Sequence, residues 1–222
     1  MPKPKIMSKY NSKILDIRFL DSQTFILRFE RNGLKFRTGQ YVVLAPQNFP
    51  ESREYSIYSS EHDPWIEVLI KKVDTGYVSK ALSEMQVGDM LQVEGPYGFF
   101  VLNQGEIDNR HFLFVATGTG ISPFHSFTLT HSSLNYQLLH GVRFTNEAYD
   151  HGHYLENSHV ICTTRDEKGS YAGRVTEYLS ENDIPTDTIC YLCGNSAMIN
   201  EVSDLLEEQG IAPQNIRSEV FF

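Results

Sequence analysis

The chain has 222 residues, 41% hydrophobic and 21% charged, an ordinary globular composition that excludes collagen-like, coiled-coil and disordered chains and suits one large or two compact domains. Its 28 acidic against 19 basic side chains leave a net charge of −9, which excludes a general nucleic-acid binder. No apolar run approaches the roughly 18 residues of a membrane span, the start MPKPKIMSKY lacks a secretory apolar stretch, and three cysteines build no disulfide framework, so a reduced cytoplasmic setting is expected.

Six runs in the first hundred residues read as strands: SKILDIRFL, TFILRFE, QYVVLAP, REYSIYSS, WIEVLIKKV and DMLQVEG. Each is rich in β-branched and aromatic residues, and turn-forming pieces such as RNG, PQNFPES and EHDP separate them. Six strands at this spacing predict a closed antiparallel barrel. VSKALSEMQ at 78–86 is the helical piece within it.

The rhythm then changes. HFLFVAT, YQLLHGVR, HVICTTR, TICYLCG and IRSEVFF read as strands of a parallel sheet. Between them ISPFHSFTLTHS, GRVTEYLSEN and SAMINEVSDLLEEQG read as helices, the alternation of βα units. The polar piece NQGEIDNR sets the boundary, giving domains 1–104 and 105–222. The charge is uneven as well. Residues 1–40 carry nine basic and three acidic side chains, net +6, leaving −15 for the other 182. Solvated strand faces account for this as well as a docking surface for an acidic partner does.

Several motifs carry chemistry. In Thr117-Gly118-Thr119-Gly120, a glycine turn links an apolar strand to a helix, as a phosphate-binding loop requires, although a tight turn alone needs the same residues. Cys190-Tyr191-Leu192-Cys193 has metal or redox spacing, but residues three apart on a strand face opposite ways and no second pair accompanies it. His151-Gly152-His153 has weak chelating potential and reads more simply as a solvated loop; no metal site is expected. His125, His131 and His140 read as ordinary helix or strand residues, and no Ser/His/Asp triad is supported.

Taken in order, Arg53-Glu54-Tyr55-Ser56, Gly76-Tyr77-Val78-Ser79, Gly95-Pro96-Tyr97-Gly98, the 115–124 segment VATGTGISPF and Cys193-Gly194-Asn195-Ser196-Ala197-Met198 resemble the ferredoxin/flavodoxin–NADP reductase family over residues 8–222. The resemblance implies an FAD-binding barrel followed by an NADP-binding α/β domain. It implies that Tyr55 stacks on the flavin, Ser56 sits by its reacting nitrogen and Arg53 meets the FAD pyrophosphate. Ile70, Lys71, Gly76, Val78, Ser79 and Thr117 would border FAD. Thr117, Gly118, Gly120, Pro123, Cys193, Gly194 and Met198 would border NADP, and Arg143, Arg165 and Arg174 would surround its 2′-phosphate.

Ser56, Cys193 and Glu219 are the implied catalytic residues. The ending Glu219-Val220-Phe221-Phe222 is similar to the Glu-Val-Tyr of plant-type members, leaving open which phenylalanine covers the flavin. The implied activity exchanges a hydride with NADP(H) and single electrons with a ferredoxin or flavodoxin, an acidic carrier docking on the basic N-terminal region of a monomer. A reductase feeding an oxygenase and a non-catalytic flavin module are the alternatives.

Overall fold

The computed structural model describes residues 9–221, which divide after Val101 into two compact units. In the first, β1 (Tyr10–Phe19), β2 (Thr24–Glu30), β3 (Tyr41–Pro46), β4 (Arg53–Ser56), β5 (Trp65–Lys71) and β6 (Met90–Tyr97) form one antiparallel sheet, ordered β4-β3-β6-β1-β2-β5. The short helix α1 (Tyr77–Ser83) follows β5. Alternate residues of β2 and β5, Phe25, Leu27, Phe29, Ile66, Val68 and Ile70, meet Val42, Leu44, Leu91 and Val93 in one core. Burying each such side chain contributes about 1.5–3 kcal/mol.

The sheet closes on itself. β4 ends at Ser56, not at residue 60, because Ile57 leaves β3 and bridges to Val68 of β5 while Tyr58 N–H donates to the Glu67 carbonyl at 2.8 Å. The predicted run REYSIYSS is therefore a strand and a corner. Closure pairs the two edge strands that an open sheet would expose.

The second unit begins with α2 (Gln104–Ile107) and has a parallel sheet of β7 (His111–Thr117), β8 (Asn135–Val142), β9 (His159–Thr163), β10 (Tyr171–Ala172), β11 (Ile189–Gly194) and β12 (Ile216–Val220). The order is β10-β9-β8-β7-β11-β12. Helices α3 (Ser122–Thr130), α4 (Val175–Glu181) and α5 (Ser196–Glu208) connect strands. One sheet face stacks Phe114 on Phe124 of α3, with ring centroids 5.0 Å apart. The other packs Leu113, Val115, Cys190 and Leu192 against Val175 and Leu179 of α4 and Val202 and Leu206 of α5. Both faces being covered explains the continuous apolar strand runs. The chain passes from β7 outward through β8 and β9 to β10 and then returns to β11 on the other side of β7. The loops after β7 and β11 therefore flank the topological switch point, where ligands of such sheets bind.

Candidate functional site

In the first unit, the candidate cofactor residues lie on β4, at the end of β5 and around the start of α1. Tyr55 is half-buried against the barrel core, and burial pushes its phenol up to about 12, so the ring is neutral at any working pH. Arg53 is exposed and pairs with Glu51 at 3.1 Å, while Ser56 is buried. Ile70 and Val78 point their side chains into the core, which leaves only their backbone to border a ligand. Lys71 is exposed. No side chain caps α1 at Gly76, and the Ser79 hydroxyl is occupied by the backbone N–H of Val73 at 3.1 Å. An aromatic face, an exposed cation and an uncapped helix start suit a flavin dinucleotide.

The basic N-terminal stretch is partly consumed within this unit. Arg28 binds Glu67 at 2.7 Å and lies 4.3 Å from the centre of the Trp65 ring. Arg31 donates to the carbonyls of Leu34, Glu61 and Asp63, each at 2.7 Å. Lys13, Arg18, Lys35 and Arg37 are exposed; Lys3 and Lys5 lie outside the described residues.

In the second unit, two turns cross at the switch point. A β-carbon on Gly120 would sit 2.3 Å from the Cys193 carbonyl oxygen, and one on Gly194 would sit 2.1 Å from Thr117 Oγ1. Neither position has room for a side chain. Gly118 differs: its φ of +53° favours glycine, yet nothing lies within 4 Å of a β-carbon there. Gly118 thus leaves open space along the loop, whereas Gly120 and Gly194 serve the chain's own packing. Thr117 Oγ1 accepts from the Asn195 side-chain amide at 3.1 Å, and Asn195 Oδ1 caps α5 through Met198 N–H at 2.9 Å. Pro123 is buried in the first turn of α3, and Met198 is buried in the core beneath Gly194, so both support the turns from below.

Cys193 and Glu219 are register partners on β11 and β12. The thiol is fully buried, and burial followed by the Glu219 carboxylate holds its pKa well above the ordinary value. Cys193 is therefore a neutral, non-nucleophilic thiol. Cys190 lies on the opposite face in the helical core, and all three cysteines are free. Phe221 is half-buried, its N–H donating to the Gly194 carbonyl at 2.8 Å; Phe222 lies outside the described residues.

The three arginines stand beyond the ends of β8 and β9 and at the start of α4. Arg165 N–H donates to the Arg143 carbonyl at 2.8 Å, which sets the two residues side by side. Arg143 is held by Glu147, with Nε–Oε1 at 3.0 Å, so its charge is already partly answered. Arg165 and Arg174 are exposed. Neighbouring Asp166 is turned away into hydrogen bonds with Thr145, which lower its pKa.

His140, which the sequence reads as an ordinary strand residue, has a further part in the fold. It is fully buried, and its Nε2 lies 2.9 Å from the Gly118 carbonyl, which can only accept, so the imidazole donates and positions the glycine loop. Burial lowers its pKa to about 4. A histidine inside the apolar run YQLLHGV was the available signal.

Comparison with known proteins agrees with this arrangement. Residues 16–102 match the oxidoreductase FAD-binding domain and residues 114–204 the oxidoreductase NAD-binding domain. The chain belongs to the ferredoxin reductase family. It is an oxidoreductase of FAD and a nicotinamide nucleotide. It is 29% identical to the toluate 1,2-dioxygenase electron transfer component of Pseudomonas putida, over 96% of this chain and 67% of that protein. It is 26% identical to a ferredoxin–NADP reductase of Pseudomonas aeruginosa, over 91% and 90% of the two chains. In fold it matches a ferredoxin NADP+ reductase from Neisseria gonorrhoeae, with a TM-score of 0.85 at 23% identity over 96% of this chain and 99% of that one. No helix among the described residues is long and apolar enough to cross a membrane.

Proposed function

We propose that this chain takes reducing equivalents from NADPH and passes them to a separate small electron carrier, a ferredoxin or flavodoxin or the carrier of an oxygenase system. The observation that supports this best is the crossing of the Thr117–Gly120 and Cys193–Gly194 turns at the switch point of the second unit's sheet, flanked by exposed Arg165 and Arg174. Bound FAD supplies acceptance of a hydride and return of electrons one at a time. Tyr55 offers it a neutral ring, Arg53 a cation for its pyrophosphate, and Gly76 to Ser79 the uncapped start of α1.

On the nucleotide side, the backbone of Gly118 leaves room for a phosphate-bearing ligand, and His140 holds that loop in place. The neutral thiol of Cys193 presents bulk without charge beside the Glu219 carboxylate, and Phe221 is tethered to the same turn. The three cysteines are free and buried on strands β9 and β11, so none of them is offered as an electron-carrying group. The carrier's docking face is assigned to the first forty residues, where Lys13, Arg18, Lys35 and Arg37 are exposed.

Nucleotide choice tests the reading. Charge-assisted hydrogen bonds contribute about 1.5–3 kcal/mol each, so replacing Arg165 and Arg174 with alanine should raise KM for NADPH by roughly 10²–10⁴-fold. KM for NADH should hardly move. Equal changes for both nucleotides would remove these arginines from 2′-phosphate recognition. Steady-state reduction of purified ferredoxins and flavodoxins then identifies the carrier class.

A further inference from the structure

The sequence offers His151-Gly152-His153 as a loop pair, but the fold makes a different group. Among the described residues, His125, Asp150 and His153 bring one ligand atom each within 4.8 Å of one another. His125 comes from α3 and is buried, at 2% exposure. Asp150 and His153 bracket a single 3-10 turn, His151–His153, with His153 N–H donating to the Asp150 carbonyl at 2.9 Å. Asp150 precedes the turn with a left-handed backbone (φ +52°), and its carboxylate and the His153 imidazole converge with His125, whereas His151 is not among the converging groups. His125 Nε2 and His153 Nδ1 approach to 2.9 Å. Two imidazole nitrogens on a tetrahedral zinc, with bonds of about 2.0–2.1 Å, stand roughly 3.3 Å apart.

We propose that His125, Asp150 and His153 form a binding site for a borderline divalent metal ion of the zinc class. Two imidazoles and a carboxylate are the donor set that suits Zn²⁺. Exposed His153 and half-buried Asp150 give the ion an entry path, and one coordination position is left for water. The ion clips the 150–153 turn onto α3, the helix that follows the glycine loop directly. Binding there is independent of hydride transfer, so its failure leaves the reductase reading untouched.

Isothermal titration of the untagged, FAD-loaded full chain with ZnCl₂, after EDTA treatment and dialysis, tests the site. One Zn²⁺ per chain is expected, with a zinc-dependent rise in Tm. His153→Ala and Asp150→Asn, both at accessible positions, should each weaken binding by at least about 100-fold. His151→Ala should leave it within about threefold, because His151 is outside the ligand trio. Flavin content and unaltered Tm without zinc report that each variant is folded. Absent saturable binding would overturn the site and leave a hydrogen-bonded histidine pair. Undiminished binding in His153→Ala and Asp150→Asn, or its loss on His151→Ala alone, would overturn it in favour of simple loop chelation.

Discussion

The two units prepare for their ligands differently. In the barrel, the candidate groups are side chains on a finished scaffold: Tyr55 half-buried, Arg53 exposed, with the core completed by other residues. In the α/β unit the candidate site is backbone, two turns packed so closely that Gly120 and Gly194 admit no side chain. A side-chain site can lose a group and keep its fold. A backbone site tolerates less, because the turn that is open at Gly118 is the same turn that packs against β11 at Gly120.

Gly120→Ala should have the largest effect. Its β-carbon meets the Cys193 carbonyl, backbone that cannot move without shifting β11, so a loss of about 3 kcal/mol or more is expected in urea unfolding. Gly118→Ala meets open space and suffers only its left-handed backbone, about 1–2 kcal/mol. Equal losses at the two glycines would break the distinction between a packed and an open turn.

Acid should separate the units next. His140 in the α/β unit has a folded pKa of about 4, below its ordinary 6.5, because it is fully buried. The unfolded chain therefore takes up the proton first as pH falls. Stability is fully present above pH 6.5 and is lost between 6.5 and 4, by about 3 kcal/mol from this residue. Half-buried His159, lowered to about 3 by burial, acts in the same direction. In the barrel, Tyr10 and Tyr55 are instead raised to about 12, a shift without effect in acid. Hydrogen exchange at pH 7 and pH 5 should show protection falling in β7 to β9 more than in β1 to β3. A uniform fall would mean that the units do not differ in this way.

Tyr55→Ala should produce the smallest change and sharpen the contrast. Aromatic stacking contributes about 0.5–1.5 kcal/mol beyond burial, so the Kd for FAD should rise by about 2- to 12-fold, with the barrel still folded. Unchanged FAD affinity in a fluorescence titration would remove Tyr55 from the flavin site.

The sequence alone carried the strand and helix order, because apolar runs bounded by turns set local structure whatever lies beyond them. HFLFVAT is β7, TICYLCG holds β11, and SAMINEVSDLLEEQG holds α5. The motifs around Tyr55, Gly118 and Cys193 were legible for the same reason: their residues are neighbours in the chain. Other features depended on distant segments meeting. Ile57 ends β4 because Val68 is there to receive it. Gly120 is glycine on account of Cys193, more than seventy residues away. His140 looked like an ordinary strand residue until the fold put the Gly118 carbonyl against its ring. His125 and His153 are 28 residues apart, and only the packing of α3 against the 150–153 turn brings their nitrogens within 2.9 Å. Periodicity determines which face a residue takes, but what it meets there is decided when the sheet forms and its loops converge.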